Sequence, residues 1–313
     1  MNFNLLVGSL LAAVAVADLV LARLVHLTSS SQRLVPGLLA LMPGLLVLLV
    51  VSLYCRRRFC STRAEGYSRL GEISTLAIWA LVAVTVLTAL TMIAARTPAP
   101  LLDASFAQID GAMHAPVATI VRQVAHLPAL RKALVFSYNL LNVFALAALI
   151  LPVMAGRLEH SRRYLLSVSV AVLITDAIFA VAPAIGPWVI YGFEPASTQA
   201  ATQVCLLQLK SHQAVVNCKD CGIVCFPSFH AALAVLATVA LWPFRKARPV
   251  LIVLCTAICI STVTTGWHYV IDVFGGLAVA AAAQVIAVRS TASSHAEGLE
   301  PFLPNAIPVA DLE

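Results

Sequence analysis

The stretch CFPSFHAALAVLATVALW, residues 225–242, is apolar enough for the interior of a lipid bilayer, yet it begins with a proline, a serine and a histidine. After His230 it contains no charged side chain. Its apolar run predicts a membrane helix, and the titratable imidazole lies in the first turn of that helix. A histidine in this position raises the question of what chemistry it serves at a membrane surface.

The whole chain has the composition of a polytopic membrane protein. Its 313 residues are 61% hydrophobic and 11% charged, and the mean hydropathy is +0.94. A soluble domain would leave several apolar runs of about 20 residues exposed, whereas a helix of that length crosses the bilayer and satisfies its own backbone hydrogen bonds. The runs do not alternate apolar and polar residues as the strands of a membrane barrel do. We therefore predict an all-α, polytopic membrane helix bundle.

Eight membrane spans are predicted from the apolar runs. They cover residues 3–26, 34–54, 73–95, 133–155, 164–187, 229–244, 249–267 and 269–288. The first span lacks a basic segment before it, and we expect a membrane helix there rather than a cleaved signal peptide. The sixth span is short, and the seventh and eighth are almost contiguous.

The distribution of arginine and lysine predicts the orientation. If the N-terminus is cytoplasmic, the short loops after the even spans hold most of the basic residues, as is typical of cytoplasmic loops. They are Arg56, Arg57, Arg58, Arg63, Arg69, Arg157, Arg162, Arg163, Arg245, Lys246 and Arg248. We therefore predict that both termini are cytoplasmic. The formal net charge of +6 reflects this bias and does not indicate nucleic-acid binding.

Three segments outside the spans have their own character. Residues 96–132 mix apolar residues with charged residues, prolines and glycines, which favours a helix lying in the membrane interface. Residues 187–228 form a long extracytoplasmic loop in the predicted topology. Residues 289–313 are predicted to be a mobile cytoplasmic tail.

A second histidine is predicted on the same membrane face as the first. ISTVTTGWHYVIDVFGG, residues 260–276, places His268 at the outer end of the eighth span and Asp272 four residues later. On a helix this spacing lets the carboxylate accept one imidazole N–H. The aspartate then fixes the tautomer and favours the charged ring, which leaves the other nitrogen as a nucleophile toward phosphorus.

His230 supplies a matching proton donor. Pro227 and Ser228 precede its span, so the free N–H groups of the first helical turn form an anion site to which the Ser228 hydroxyl adds a donor. A phosphate held there meets both imidazoles. One histidine attacks phosphorus and the other, when protonated, donates to the departing oxygen on the opposite side.

These residues resemble the type 2 phosphatidic acid phosphatase superfamily. Its motif P-S-x-H reads here as Pro227 to His230, and its motif S-R-x5-H-x3-D reads as Ser261, Thr262, His268 and Asp272 at the matching spacing. The resemblance covers roughly residues 73–288 and implies a six-helix lipid phosphatase or phosphotransferase core, preceded by residues 1–72 with two further spans. It implies that His268 is the nucleophile, Asp272 its support and His230 the general acid, with phosphate contacts from Ser228 and Thr262.

The chain also departs from the family pattern. The first motif, a lysine followed by an arginine-proline pair, is not recognisable, and Thr262 stands in place of an arginine, so phosphate-binding cations are missing. GWHYVIDVFGG is similar to the corresponding motif of inositol phosphorylceramide synthases, which lack that arginine. APAIGPW, residues 182–188, resembles a proline-rich turn of that branch, but its prolines can equally serve to end the fifth helix. Candidate substitute cations on the outer side are Arg122, Arg131, Lys132, Lys210 and Lys219.

Four cysteines precede the PSFH motif in the predicted outer loop. Cys205, Cys218, Cys221 and Cys225 lie in an oxidising compartment by that topology, and we expect one or two disulfides among them. The run CKDCGIVC has an alternative reading as a zinc site completed by His212. Asp176, deep in the fifth span, either lines a polar cavity or forms a hydrogen bond within the bundle.

The sequence thus predicts an integral-membrane enzyme of lipid phosphate metabolism that works without metal or cofactor through a phosphohistidine on His268. Water as the acceptor makes it a phosphatase, and a lipid hydroxyl makes it a transferase. An alternative is a non-catalytic lipid-binding or scaffold protein of the same fold. A transporter would need ionisable residues near mid-membrane within an internal repeat, and only isolated Asp18 and Asp176 fit.

Overall fold

The structure is a computed structural model that describes residues 3–24, 31–212, 218 and 222–296, without the side chains of 22–41, 62 and 292–296. All regular elements in these ranges are helical, which confirms the predicted all-α class. The helices are α1 Phe3–Leu24, α2 Ser31–Thr62, α3 Glu65–Ala94, α4 Asp103–Ala112, α5 Val117–Ala125, α6 Pro128–Met154, α7 Leu158–Val181, α8 Trp188–Tyr191, α9 Ser197–Lys210, α10 Phe229–Leu241, α11 Arg248–Thr264 and α12 Val270–Ala296.

Six helices in the described part of the chain are long and apolar enough to cross a membrane, which confirms an integral membrane protein. They are α1, α3, α6, α7, α11 with the turn before it, and α12. The sixth predicted span is α10, which is apolar but has only 13 residues. The second predicted span lies within α2, whose side chains are described only from Met42 onward. The count of eight spans stays a prediction.

The short helix α10 lies at the centre of the bundle, in contact with α6, α7, α11 and α12. Its alanines at 231, 232, 234 and 237 are completely buried. Small residues let helix backbones approach closely, which is how helices pack where lipid removes the hydrophobic driving force between them. The outer surface is apolar instead, as at Leu19 and Val253, which are 69% and 68% exposed. This pattern of small residues inside and large apolar residues outside fits a lipid-embedded bundle.

The segment predicted to lie in the interface, residues 96–132, contains α4, α5 and the start of α6. Helix α4 reaches the start of α12 through Asp110, whose two carboxylate oxygens accept the N–H groups of Val270 at 2.8 Å and Ile271 at 3.1 Å. Burial raises the pKa of Asp110, and the two backbone hydrogen bonds oppose that rise. Asp110 therefore satisfies the first free N–H groups of α12 and anchors that helix end.

A second carboxylate of α4 ties down the turn that follows α7. Asp103 accepts the backbone N–H groups of Ile185 at 3.0 Å and Gly186 at 2.9 Å. It also accepts the Tyr269 hydroxyl at 3.1 Å, and that same hydroxyl lies 3.2 Å from the Gly186 carbonyl oxygen. The APAIGPW turn is thereby bonded to the residue that follows His268.

The loop between α8 and α10 is braced covalently. Cys205 on α9 forms a disulfide with Cys218, one of the bonds expected among the loop cysteines. Lys210, at the end of α9, donates to the carbonyl oxygens of Thr97 at 3.1 Å and Ala99 at 2.8 Å. Burial lowers the pKa of this ammonium group. The predicted cytoplasmic tail begins inside α12, and its residues from 297 onward lie outside the described ranges.

Two glycines of α12 allow a close approach between this helix and the PSFH turn. A Cβ on Gly276 would lie 2.2 Å from the Ser228 carbonyl oxygen, and one on Gly275 would lie 2.9 Å from the Phe226 ring. Both distances are shorter than non-bonded atoms tolerate. The Gly-Gly pair after Asp272 therefore serves to dock the PSFH turn against α12.

Replacing Gly276 by alanine is expected to destabilise the protein by about 1–3 kcal/mol, because a backbone oxygen, unlike the end of a side chain, cannot move aside alone. The measurement is thermal unfolding of purified protein in detergent. Gly44→Ala is the matched control, since this helical glycine has no atom within 4 Å of its added methyl group. Equal melting temperatures for the two variants would contradict the proposed close contact.

Candidate active site

His268 lies in the short connection between α11 and α12. Gly266 takes a left-handed conformation with φ +80° and turns the chain back, and a Cβ there would lie 2.7 Å from the Phe193 ring. The carbonyl oxygen of Thr262 then accepts the N–H groups of both Trp267 and His268 at 3.1 Å. Because α12 begins at Val270, His268 precedes the helix, whereas the sequence reading placed it with Asp272 on one helix.

The imidazole of His268 is held by one of its two nitrogens. Its Nδ1 lies 2.8 Å from the Cys225 carbonyl oxygen and 3.2 Å from Asp272 Oδ2. A carbonyl oxygen only accepts hydrogen bonds, so Nδ1 carries the proton and donates it. In the neutral ring the lone pair is therefore on Nε2. The side chain is only 3% exposed, and His268 lines a cavity.

Asp272 is the acceptor that orients this histidine. It is fully buried in the first turn of α12, and its Oδ2 also accepts the backbone N–H of Tyr269 at 2.8 Å. The Cys225 thiol donates to the same oxygen at 3.1 Å. Its Oδ1 is buried and has no hydrogen-bond partner among the described residues. The carboxylate is thus fixed from three directions through a single oxygen.

Cys225 is a site residue that the sequence reading assigned to a different role. It was grouped with the candidate disulfide cysteines, but it carries a free, buried thiol. Burial and the neighbouring Asp272 raise the pKa of this thiol well above its ordinary value. The thiol is therefore protonated at neutral pH and remains a donor to the carboxylate. The only sequence signal for this role is the position of Cys225 five residues before His230. That signal is weak, because a cysteine at this spacing also suits a disulfide.

His230 lies in the first turn of α10 and meets His268 across the cavity. The two ring centroids are 6.1 Å apart. The His230 ring stacks on Tyr138 of α6 at 4.3 Å, and Tyr138 in turn lies parallel to Trp267 at 6.0 Å. The structure thus brings together the two histidines predicted from separate motifs. The aromatic side chains that position His230 carry no motif, and the sequence did not reveal them.

The two predicted phosphate contacts are both buried. Ser228 is the N-cap of α10, where its Oγ accepts the Ala231 N–H at 3.3 Å and its own N–H donates to the Asp272 carbonyl oxygen at 2.9 Å. Thr262 donates its hydroxyl to the Cys259 carbonyl oxygen at 2.7 Å. Both side chains are fully buried. In this arrangement each residue shapes the backbone that presents a histidine.

Two cavities meet at His230. The deeper one, of about 530 Å³, runs between α3, α6, α7 and α10 from the two histidines to Tyr164. The outer one, of about 740 Å³, contains Arg122 and Arg131 together with polar groups of the segment 193–199. His230, Tyr138, Trp267 and Gly222 line both. His230 therefore lies where an apolar chamber and a cationic vestibule meet.

The candidate cations differ in what they contact. Arg122 and Arg131 line the vestibule beside His230, and Arg122 donates to the Tyr191 carbonyl oxygen at 3.1 Å. Lys210 is bound to backbone carbonyl oxygens, as described above. Lys132 is exposed and does not line the vestibule. Lys219 lies outside the described residues, as does Cys221 among the cysteines.

Three side chains of the site have the residue types of metal ligands. Atoms of Cys225, His268 and Asp272 lie within 4.8 Å of one another. The thiol proton and the Nδ1 proton already bridge these atoms through Asp272 Oδ2, so both donors of the cluster are bonded within it. The zinc alternative for CKDCGIVC loses one thiolate, because Cys218 is bonded to Cys205. The absence of a metal stays a prediction.

The membrane-type helical bundle thus places the His268–Asp272 pair opposite a second histidine, His230. The family model of the PAP2 superfamily matches residues 104–286, which is more than half of the chain. The chain therefore belongs to the PAP2 superfamily. Neither the curated proteins nor the solved structures gave a significant match. The matched range contains both histidines and Asp272 and begins within α4.

The thiol of Cys225 is expected to resist alkylation in the folded protein. Its raised pKa leaves little thiolate at pH 8, and the side chain is only 4% exposed. Labelling with iodoacetamide in detergent followed by peptide mass spectrometry measures this, and the exposed Cys60 is the internal control. Labelling of Cys225 as fast as Cys60 in the folded protein would contradict the hydrogen bond to Asp272.

Proposed function

We propose that this protein is an integral-membrane lipid phosphatase or phosphotransferase that acts through a phosphohistidine on His268. The observation that carries the proposal is that His268 Nδ1 is hydrogen-bonded to the Cys225 carbonyl oxygen and to Asp272. It leaves Nε2 as the nucleophilic atom, in a cavity that also contains the second imidazole. Membership of the PAP2 superfamily supports a phosphate ester as the substrate.

In the first step Nε2 of His268 attacks the phosphorus atom of a lipid phosphate. A P–N bond forms while the P–O bond to the leaving group breaks. His230, as an imidazolium, gives its proton to the departing oxygen. Asp272 stabilises the positive charge that develops on His268, because its Oδ2 accepts the Nδ1 proton throughout. The first turn of α10 supplies N–H groups that face the phosphate oxygens, while the Ser228 N–H stays bonded to the Asp272 carbonyl oxygen.

In the second step the neutral His230 removes a proton from the acceptor, which attacks phosphorus as the P–N bond breaks. With a phosphomonoester substrate, water releases phosphate and a lipid hydroxyl gives a new phosphomonoester. With a phosphodiester substrate the head group stays on phosphorus, so a lipid hydroxyl gives a new phosphodiester. Both outcomes share the same enzyme groups. The similarity of GWHYVIDVFGG to the inositol phosphorylceramide synthase motif supports transfer as well as hydrolysis, and metal is not required for either step.

Arg122 and Arg131 are proposed to replace the missing family cations. Both line the vestibule that His230 shares, so their guanidinium groups lie on the side from which a phosphate reaches the histidines. Guanidinium groups bind phosphate oxygens through charge-assisted hydrogen bonds. Thr262, which stands at the family arginine position, holds the His268 turn with its carbonyl oxygen and has no cationic group of its own.

The proposed arrangement places the reaction at the extracytoplasmic ends of α10 and α12, with both chain termini in the cytoplasm. The catalytic core then comprises residues 73–288, with residues 1–72 as an added helical pair and basic loop. A substrate in the outer leaflet keeps its chain in the membrane while its phosphate enters from the side. Membrane lipid is accordingly the only partner that the proposal requires.

Substitution of His268 by alanine is expected to lower phosphate release by at least about 1,000-fold, because the covalent step loses its nucleophile. His230→Ala should lower it about 100- to 10,000-fold. The assay uses purified protein with phosphatidic acid, prenyl diphosphate, or phosphatidylinositol plus ceramide, with no added divalent metal. Mass spectrometry distinguishes free phosphate from a transferred head group.

The control for these variants is His126→Ala, because His126 is exposed at the end of α5 and lines neither cavity. Quenching wild-type enzyme and labelled substrate with alkaline detergent should trap a phosphohistidine, which is stable in base and labile in acid, and His268→Ala should lack it. If all three variants retained the wild-type rate, the catalytic proposal would be wrong, and a non-catalytic lipid-binding protein would be the better description.

Arg131→Ala is expected to raise the KM for a lipid phosphate about tenfold, with a smaller effect on kcat, because it removes a charge-assisted contact made on binding. Lys132→Ala is the matched control, as Lys132 is the next residue and lies outside the vestibule. Steady-state kinetics in mixed micelles measure both values. Equal KM changes in the two variants would contradict a specific role for Arg131.

A further inference from the structure

The deep cavity is apolar along most of its length. Helices α3, α6 and α7 line it with alanine, valine and leucine side chains, including Ala83, Leu87, Leu149 and Val168. Along α7 the lining extends from Asp176 to Tyr164, a rise of about 18 Å at ~1.5 Å per residue. Such a chamber is suited to a long hydrocarbon chain.

One part of this cavity is polar, and it lies toward the end of α7 whose following turn is bonded to Tyr269, the residue after His268. Asp176 is five residues before the end of α7, which places it about 7–8 Å below that end. Thr91, Thr175 and Thr202 line the cavity with it. Thr175, Asp176 and Thr202 are each 2–3% exposed. Four polar side chains at one level would not stabilise a hydrocarbon chain, so the chamber is not lined for such a chain alone.

The hydrogen-bonding capacity of these side chains is largely unused. Thr91 lies 2.9 Å and 3.1 Å from the two oxygens of Asp176, but its single hydroxyl proton is shared with the Leu87 carbonyl oxygen at 3.0 Å. A carboxylate accepts about four hydrogen bonds. The hydroxyl oxygens of Thr175 and Thr202 are buried and have no partner among the described residues. Polar groups left in this state inside a membrane are costly and point to a ligand.

We propose that Asp176, Thr175 and Thr202 form a subsite that selects lipids carrying hydrogen-bond donors close to the phosphate. The carboxylate accepts an amine, amide or hydroxyl proton of the lipid, and the two threonine hydroxyls complete the contacts. The hydrocarbon chain continues toward Tyr164. This inference rests on the proposed function, because it assumes that the phosphate is at His230 and His268 while the chain occupies the deep cavity.

The subsite discriminates against lipids without such donors. A plain alkyl or prenyl phosphate fills the apolar part but leaves the hydroxyls of Thr175 and Thr202 without a partner, and Asp176 with Thr91 as its one donor, among the described residues. A site built around buried acceptors rejects a ligand that lacks the matching donor more strongly than an apolar pocket rejects one of different length. The expected discrimination is on the order of 10- to 100-fold, from hydrogen bonds that only the donor-bearing lipid makes.

The test compares octadecyl phosphate with its 2-amino-3-hydroxy derivative, which has the same chain and adds only donors. Phosphate release by the wild-type enzyme should favour the derivative by 10- to 100-fold in kcat/KM. Asp176→Asn should bring this ratio toward one, because the amide removes the charge while keeping the size. Thr175→Val and Thr202→Val should each lower the ratio less.

Ser169→Ala is the matched control, since Ser169 lines the same cavity but its hydroxyl is bonded to the Leu165 carbonyl oxygen at 3.0 Å. This variant should keep the wild-type ratio. A wild-type ratio of one, or an equal fall for both lipids in Asp176→Asn, would overturn the subsite and leave its polar side chains to bound water or to packing.

A binding measurement separates failure of this inference from failure of the proposed function. Thermal shift of the His268→Ala variant with each of the two lipids reports occupancy of the cavity without turnover. A larger shift with the amino-hydroxy lipid that Asp176→Asn abolishes supports the subsite even if no lipid is hydrolysed. Turnover of both lipids with equal shifts supports the enzyme and refutes the subsite.

Discussion

The site depends on one backbone contact between two segments that are far apart in sequence. The Ser228 N–H donates to the Asp272 carbonyl oxygen at 2.9 Å, and Gly276 leaves room for the Ser228 carbonyl oxygen, where a Cβ would come within 2.2 Å. Ser228 begins α10 and so sets the position of His230, while Asp272 lies in the first turn of α12 and orients His268. The distance between the two imidazoles follows from this contact, and the other interactions hold it in place.

Buried carboxylates at the same end of the bundle hold this arrangement of the two imidazoles in place. Asp110 caps α12, Asp103 holds the turn after α7 and the Tyr269 hydroxyl, and Asp272 holds His268 and the Cys225 thiol. Each satisfies its charge mainly with backbone N–H groups or neutral donors rather than with lysine or arginine. Backbone donors are fixed in place, so the carboxylates they bind are fixed as well. Arg122 and Arg131 line the vestibule instead, where Arg122 donates to the Tyr191 carbonyl oxygen.

The position of the histidines between two unlike cavities connects this framework to the proposed chemistry. The vestibule provides Arg122 and Arg131, and the deep cavity provides apolar walls with a polar level at Asp176. An amphiphile has the same division between a charged head and an apolar chain. In the proposed mechanism the reacting atoms lie where the two environments meet, which suits an amphiphilic substrate and limits water on the side of its chain.

The sequence by itself determined the helical membrane class, because apolar runs of this length have no other stable form in a bilayer. It also determined the identity of His230, His268 and Asp272 as candidates, through residue types at fixed spacing. It misplaced His268 on a helix and grouped Cys225 with the disulfide cysteines, since local spacing does not reveal where a helix begins or which partner a side chain meets. Only the tertiary structure decided those points, the stacking of Tyr138 on His230 and the level of Asp176 in the cavity. These contacts join different helices, and no local pattern in a single chain encodes them.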